Sequence, residues 1–186
     1  MVNPIQIATG QLLLSEPFML DRHFRRTGVL LCEHGEGGTL GFILNRRQRQ
    51  SVGDLLPDLE DFAAKVYYGG PVNTDAIQYL HTRGDLLDTS CEVLPGVYWG
   101  GDFEQLKFYA LNGIIHPDEV RFYRGYTGWS QGQLVDEIRR QDWIHTDGHA
   151  DYVFADRPNF LWKEAMMNEG SFRSALAFLP GAEVMN

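Results

Sequence analysis

Three times in this chain a run of aromatic and β-branched residues stops on glycine: KVYYGG at 65–70, VYWGG at 97–101 and VRFYRG at 120–125. Side chains of this kind favour a pleated, half-buried strand. A glycine at the end of such a run marks a sheet corner, where a backbone can approach a ligand closely. The repetition points to β structure with tight turns, its glycines serving sheet corners. Further strands are read at 28–33, 39–44 and 76–81, with HGEGGT at 34–39 supplying a hairpin turn between the first two.

Helices have their own signatures. At 102–112, Asp102 is placed to cap, Gln105 stands three residues on, Phe103, Leu106, Ala110 and Leu111 form one face, and Gly113 stops the helix. At 156–168, Pro158 sits in the first turn, Leu161, Trp162, Ala165 and Met166 form the stripe, and Gly170 terminates it. A helix start is read at Ser51 and a short last helix at 172–178. Strands and helices alternate without a βαβ rhythm, and no linker or repeat divides the chain. The expectation is α+β: a single compact domain over residues 1–186, with a mixed β-sheet or β-barrel-like core flanked by helices.

The stretch GWSQG at 128–132 fits G-x-S-x-G, the turn that presents a nucleophilic serine in α/β-hydrolases. That order needs an acid and then a histidine downstream, and only 56 residues follow Ser130. A helix start explains the neighbours better. With Ser130 as cap, Gln133 falls where it can bond back to the cap, and Trp129 and Leu134 form a hydrophobic staple. Leu134, Val135 and Ile138 continue the buried face, while Asp136 and Glu137 suit the N-terminal half.

The formal charge of −9 disfavours direct DNA binding, because duplex readers neutralise several phosphates with Lys and Arg. The basic clusters are short: 22–26 and Asn45-Arg46-Arg47-Gln48-Arg49. Two distant cysteines, no signal-peptide pattern at the start and no apolar run of roughly 18 residues point to a cytoplasmic protein that does not span a membrane. His145 and His149 have a spacing a metal could use, but no companion cluster completes a set, so neither metal nor cofactor is expected. Cys32 and His34 lie two apart on a strand and could pair; a buried apolar cysteine explains the same run.

One longer pattern spans nearly the whole chain. It comprises GQLL at 10–13 with Pro17 and Phe24, VLLCEH at 29–34, GFILNR at 41–46, GGPV at 69–72, Leu80-His81 and Tyr98 with GGD at 100–102. It continues through Arg121-Phe122, Gly125-Tyr126, Gly128-Trp129, GQL at 132–134, Trp143 and Trp162. In this order the residues resemble the AlgH/YqgE family of small bacterial cytosolic proteins. The resemblance implies one compact α+β domain with a β-barrel-like sheet, and no reaction; the family is often labelled a transcriptional regulator. Members commonly carry glycine or alanine where this chain has Ser130, and Asn-Arg-Pro where it has Asn45-Arg46-Arg47.

The functional expectation is a non-enzymatic regulatory or binding module that recognises a small anionic ligand or a protein partner. Candidate ligand-binding residues are His34, Asn45, Arg46, His81, Arg121 and Gln133, polar groups at strand ends or beside glycine corners. Arg46, with Arg47, is the expected docking point for an anion, unless these arginines pair with acids such as Asp54, Asp58 or Glu60. The competing class, a hydrolase or transferase, requires His34 and His81 to meet in a cleft. Ligand, partner and oligomeric state are not readable from the sequence.

Overall fold

The structure is a computed structural model that describes residues 5–170. The chain runs through β1 (Gln11–Ser15), β2 (Gly28–Gly35), β3 (Gly38–Ile43), β4 (Arg47–Ser51), β5 (Lys65–Tyr68), β6 (Val72–His81), β7 (Cys91–Leu94) and β8 (Val97–Trp99). It continues with α1 (Phe103–Leu111), β9 (Val120–Trp129), α2 (Gln133–Arg139), β10 (Trp143–Asp147), α3 (Ala150–Val153) and α4 (Pro158–Asn168). The fold is α+β: a curled sheet, almost entirely antiparallel, with four helices. The strands run β10-β1-β2-β3-β9-β6-β8-β7, and β4 joins through β5, which pairs with β9.

β9 is the spine of the sheet. One edge pairs antiparallel with β6, from Val72↔Tyr126 to His81↔Val120. The other edge pairs in parallel with β5 over Arg121 to Arg124, then antiparallel with β3 over Thr127 to Trp129. The switch falls at Gly125, whose φ of +67° suits glycine. The glycines ending the first and third aromatic runs cross here: a Cβ on Gly69 would lie 2.3 Å from the Gly125 carbonyl oxygen. The opening sequence feature is thus a backbone crossing that leaves no room for a side chain.

Packing follows the alternation of the strands. Leu12, Leu14, Leu30, Phe42, Leu44, Tyr67, Leu80 and Tyr123 point into the curl, where α4 closes it with Leu161, Trp162, Ala165 and Met166. The Trp162 indole N–H donates to the Ser15 carbonyl at 3.0 Å, fixing α4 to β1. Leu13, Val29, Leu31 and Ile43 face outward beneath α2, meeting Trp129, Leu134, Ile138 and Trp143. On another outer face α1 lays Leu106 and Ala110 over a cluster containing Val66, Val120 and Phe122. Each such large side chain contributes about 1.5–3 kcal/mol when fully buried.

Some local expectations are corrected. Asp102 does cap α1, accepting from the Gln105 N–H, but the Gln105 side chain turns to Asp88 instead of closing a capping box. Leu111, at the edge of the α1 stripe, is 58% exposed. Ser51 and Asp54 exchange hydrogen bonds, yet they open a turn leading to a 3-10 turn at Pro57–Leu59 and no α-helix. The helix expected at 172–178 lies outside the described residues. No helix among the described residues is long and apolar enough to cross a membrane.

Candidate functional site

Most of the six polar residues singled out in the sequence hold the fold together. Asn45 is buried at the end of β3; its carbonyl accepts from Gly28 N–H at 3.1 Å and its amide donates to Arg26 O at 2.9 Å. His81 is fully buried. Its Nε2 donates to Gly100 O at 2.9 Å and its Nδ1 accepts from Arg83 N–H at 3.1 Å, so the neutral ring is satisfied at both nitrogens. Burial pushes its pKa below the ordinary histidine value, against the opposing effect of the Gly100 hydrogen bond. His34 is exposed on the β2–β3 hairpin, with Nδ1 2.7 Å from Thr39 Oγ1. Thr39 pairs with Trp129 and His81 with Val120, placing the two histidines at opposite ends of β9. At about 3.3 Å per residue that is about 30 Å of strand. The cleft required by the hydrolase or transferase reading does not form.

Gln133 and Ser130 answer the nucleophile question. The Gln133 side-chain oxygen accepts from Ser130 N–H at 3.0 Å and from the Ser130 hydroxyl at 3.2 Å, and its amide donates to Glu137 at 2.9 Å. Half of the expected box is present; the residue at the cap position is Gly132, with φ +78°, and not Ser130. Trp129 and Leu134 share one buried cluster, as a staple requires. The Ser130 hydroxyl bonds to an amide and to no histidine. Cys32 does not pair with His34 either: a bulge between Leu31 and Glu33 separates them, and burial pushes the Cys32 thiol far above its ordinary value.

Arg46 and Arg121 lie beside the main concave feature without lining it. Arg46 donates to Arg25 O at 2.5 Å and pairs with no carboxylate among the described residues; burial, then the charge of Arg25, lowers its pKa. Arg121 is 2% exposed, holds the carbonyls of Asp118 and Val120 at 3.3 Å, and lies 5.3 Å from the Phe154 ring centroid.

The concave feature is an open groove of about 540 Å³ between β4 and the first turn of α4. Arg47, Gln48 and Arg49 form one wall; Asp156, Arg157 and the first residues of α4 form the other. Arg47 and Arg49 make no ion pair among the described residues. Arg157 reaches Glu164 only at 3.8 Å and stacks on Phe160, 5.2 Å from the ring centroid. Positive charge continues behind the wall. Arg47 pairs across the strands with Tyr67, whose phenol is pushed up by burial against the opposing charges of Arg121 and Arg47. Burial, then the charges of Arg121 and Arg47, push the Lys65 ammonium below its ordinary value, with Asp156 and Asp118 opposing. Three guanidinium groups face one carboxylate in a protein of net charge −9.

Sequence reading reached this groove at Arg47 but centred the site on Arg46, which does not line it, and missed its helical wall. The available signal was Phe160, an aromatic off the buried stripe of its own helix. Elsewhere, His34, Ser130 and Gly132 line a hollow of about 320 Å³ beside the hairpin. Among the described residues no group of three or more His, Cys, Asp or Glu converges as a metal site.

Comparison with known proteins gives a consistent result. The family model described as AlgH-like matches residues 12–172. A UPF0301 protein of Chlorobaculum parvum is 39% identical over 180 residues, covering 97% of this chain and 96% of the relative. One of Chlorobium chlorochromatii is 39% identical over 181 residues, with the same coverage. The solution structure of the AlgH protein from Pseudomonas aeruginosa superposes with a TM-score of 0.71 at 27% identity, covering 93% of this chain and 94% of that one. A crystal structure from Corynebacterium diphtheriae gives a TM-score of 0.79 at 22% identity, covering 96% and 95%, and shares the fold.

Proposed function

The chain belongs to the AlgH-like family, and from that premise we propose that it is a non-enzymatic bacterial binding module with an indirect regulatory role, which takes an anionic ligand in the groove between β4 and α4. The observation that carries the reading is the pair Arg47 and Arg49, which make no ion pair among the described residues and face Arg157 across a cavity whose lining holds a single carboxylate, Asp156. Arginine presents a planar fork to carboxylate or phosphate. Arg46 and Arg121, singled out in the sequence, act from behind: one fixes the end of β3 and the other sustains the potential at the floor. The free thiols of Cys32 and Cys91 support a reducing cytoplasm.

Magnitudes set the expected affinity. Exposed charge pairs contribute up to about 1 kcal/mol each, so three arginines give about 3 kcal/mol, or millimolar binding of a simple anion. The test is a titration with inorganic pyrophosphate followed by amide NMR. Backbone signals of 47–49 and 159–161 should shift together with a millimolar Kd, and Arg47→Glu with Arg49→Glu should abolish the response. Shifts elsewhere, or an unaltered response in the double variant, would sink the reading.

A protein partner is the second reading, favoured by the exposed apolar residues Phe108, Leu111 and Ile114 around the end of α1. Phe108→Ser with Leu111→Ser should then release a co-purifying protein that wild type retains; unchanged co-purification would count against this face.

A further inference from the structure

Resting on the anion reading, we propose that the ligand of the β4–α4 groove is a nucleoside diphosphate or triphosphate, with its phosphates on Arg47 and Arg49 and its base stacked against Phe160. Size is the first argument. A groove of about 540 Å³ falls in the range that holds drug-sized ligands, whereas a bare phosphate would leave most of it open.

The composition of the two walls is the second. The arginines of β4 occupy one side, and an aromatic ring occupies the other. Phe160 is 48% exposed within the first turn of α4, although that helix has an apolar stripe of its own at Leu161, Trp162, Ala165 and Met166. Phe160 therefore does not serve the core. The Arg157 guanidinium lies over the same ring, and the two together form the kind of flat surface on which nucleobases stack.

The third argument is an unmet hydrogen bond. The side-chain oxygen of Gln48, between the two arginines, is buried and has no donor among the described residues. Buried acceptors are rarely left so. Every common nucleobase carries an N–H on its pairing edge that could supply the missing donor. The uncapped start of α4 adds a smaller contribution, since no side chain occupies its first N–H groups.

A nucleic-acid strand fits less well. It would need a continuous basic track, and the overall charge of −9 opposes one.

The experiment compares inorganic pyrophosphate, ribose 5-phosphate, ADP, GDP, CDP and UDP by calorimetry on the full chain, with Phe160→Ala and the Arg47→Glu, Arg49→Glu double variant. Both variants change exposed residues, and unaltered thermal unfolding establishes that they fold. Base stacking adds about ten- to a hundred-fold in affinity. At least one nucleoside diphosphate should therefore bind ten-fold or more tighter than pyrophosphate. Phe160→Ala should remove that advantage while leaving pyrophosphate binding intact, and the double variant should bind neither. If pyrophosphate binds and no nucleotide exceeds it, or Phe160→Ala changes nothing, the nucleotide proposal is overturned and the anion reading stands. If pyrophosphate does not bind, both fall. A single-stranded oligonucleotide that binds more tightly than every mononucleotide would also overturn the proposal.

Discussion

Trp129 donates its indole N–H to the carboxylate of Glu137 at 2.8 Å. Trp143 reaches the same oxygen at 2.9 Å, and the two indoles pack edge to face with centroids 5.9 Å apart. One acidic side chain of α2 thereby ties the end of β9 to β10.

Glu137→Ala should destabilise the protein by about 2–4 kcal/mol, because it strands two part-buried indole donors. Glu137→Gln keeps one acceptor and should cost less. Urea unfolding followed by tryptophan fluorescence measures both; equal and negligible losses would mean that the carboxylate is incidental.

Ser130→Ala should cost at most about 0.5 kcal/mol, less than the loss of a full helix cap, which is typically about 1 kcal/mol. The hydroxyl makes only an exposed contact with Gln133. Gln133→Ala should cost more, because it releases Ser130 and Glu137 together. Thermal unfolding of the two variants ranks them, and the reverse order would restore Ser130 as the cap.

His81 gives a pH dependence with a definite sign. Its folded pKa lies below the ordinary value, so below about pH 6.5 the unfolded chain binds a proton that the native ring refuses. Stability from this residue is fully present above about pH 6.5 and is lost as pH falls towards the folded pKa. The melting temperature of wild type should drop from pH 7.5 to pH 5, and His81→Gln should flatten that part of the profile. Parallel profiles would show that other groups are responsible.

Duplex DNA should bind weakly and without sequence preference at about 150 mM salt, since the net charge repels phosphate at long range. Fluorescence anisotropy with unrelated duplexes checks this, and tight, sequence-dependent binding would contradict it.

What could be read in advance depended on whether a residue's role is local. The stripe Leu161, Trp162, Ala165 and Met166 is set by helical spacing, and it packs as read. The glycines of the aromatic runs were legible as corners, though not which runs meet. β4 was invisible as a strand because RQRQS has no apolar alternation; pairing with β5 alone makes it extended. Asn45 and His81 looked like ligand groups for an equally physical reason. A polar side chain beside a glycine corner has the same sequence signature whether it binds a visitor or a backbone carbonyl nineteen residues away.

Gly69→Ala should be among the most damaging single-methyl changes, because the added carbon meets the Gly125 carbonyl oxygen at 2.3 Å and the side chains of Phe42 and Tyr123 at 3.1 Å. A loss of at least about 3 kcal/mol is expected in urea unfolding. A mild effect would mean that the two strands can move apart.

The same crossing governs how the molecule can be made. Without β9 the sheet falls into three unjoined groups, β10–β1–β2–β3, β4–β5 and β6–β8–β7, because each reaches the others by strand pairing only through β9. On the ribosome all eight earlier strands emerge before the one that joins them. They wait with unpaired edges, which are templates for unwanted pairing. Folding must then close loops of about forty residues and more at a late step, so this small domain should fold slowly for its size and be most prone to aggregate in the interval before residue 129 leaves the exit tunnel.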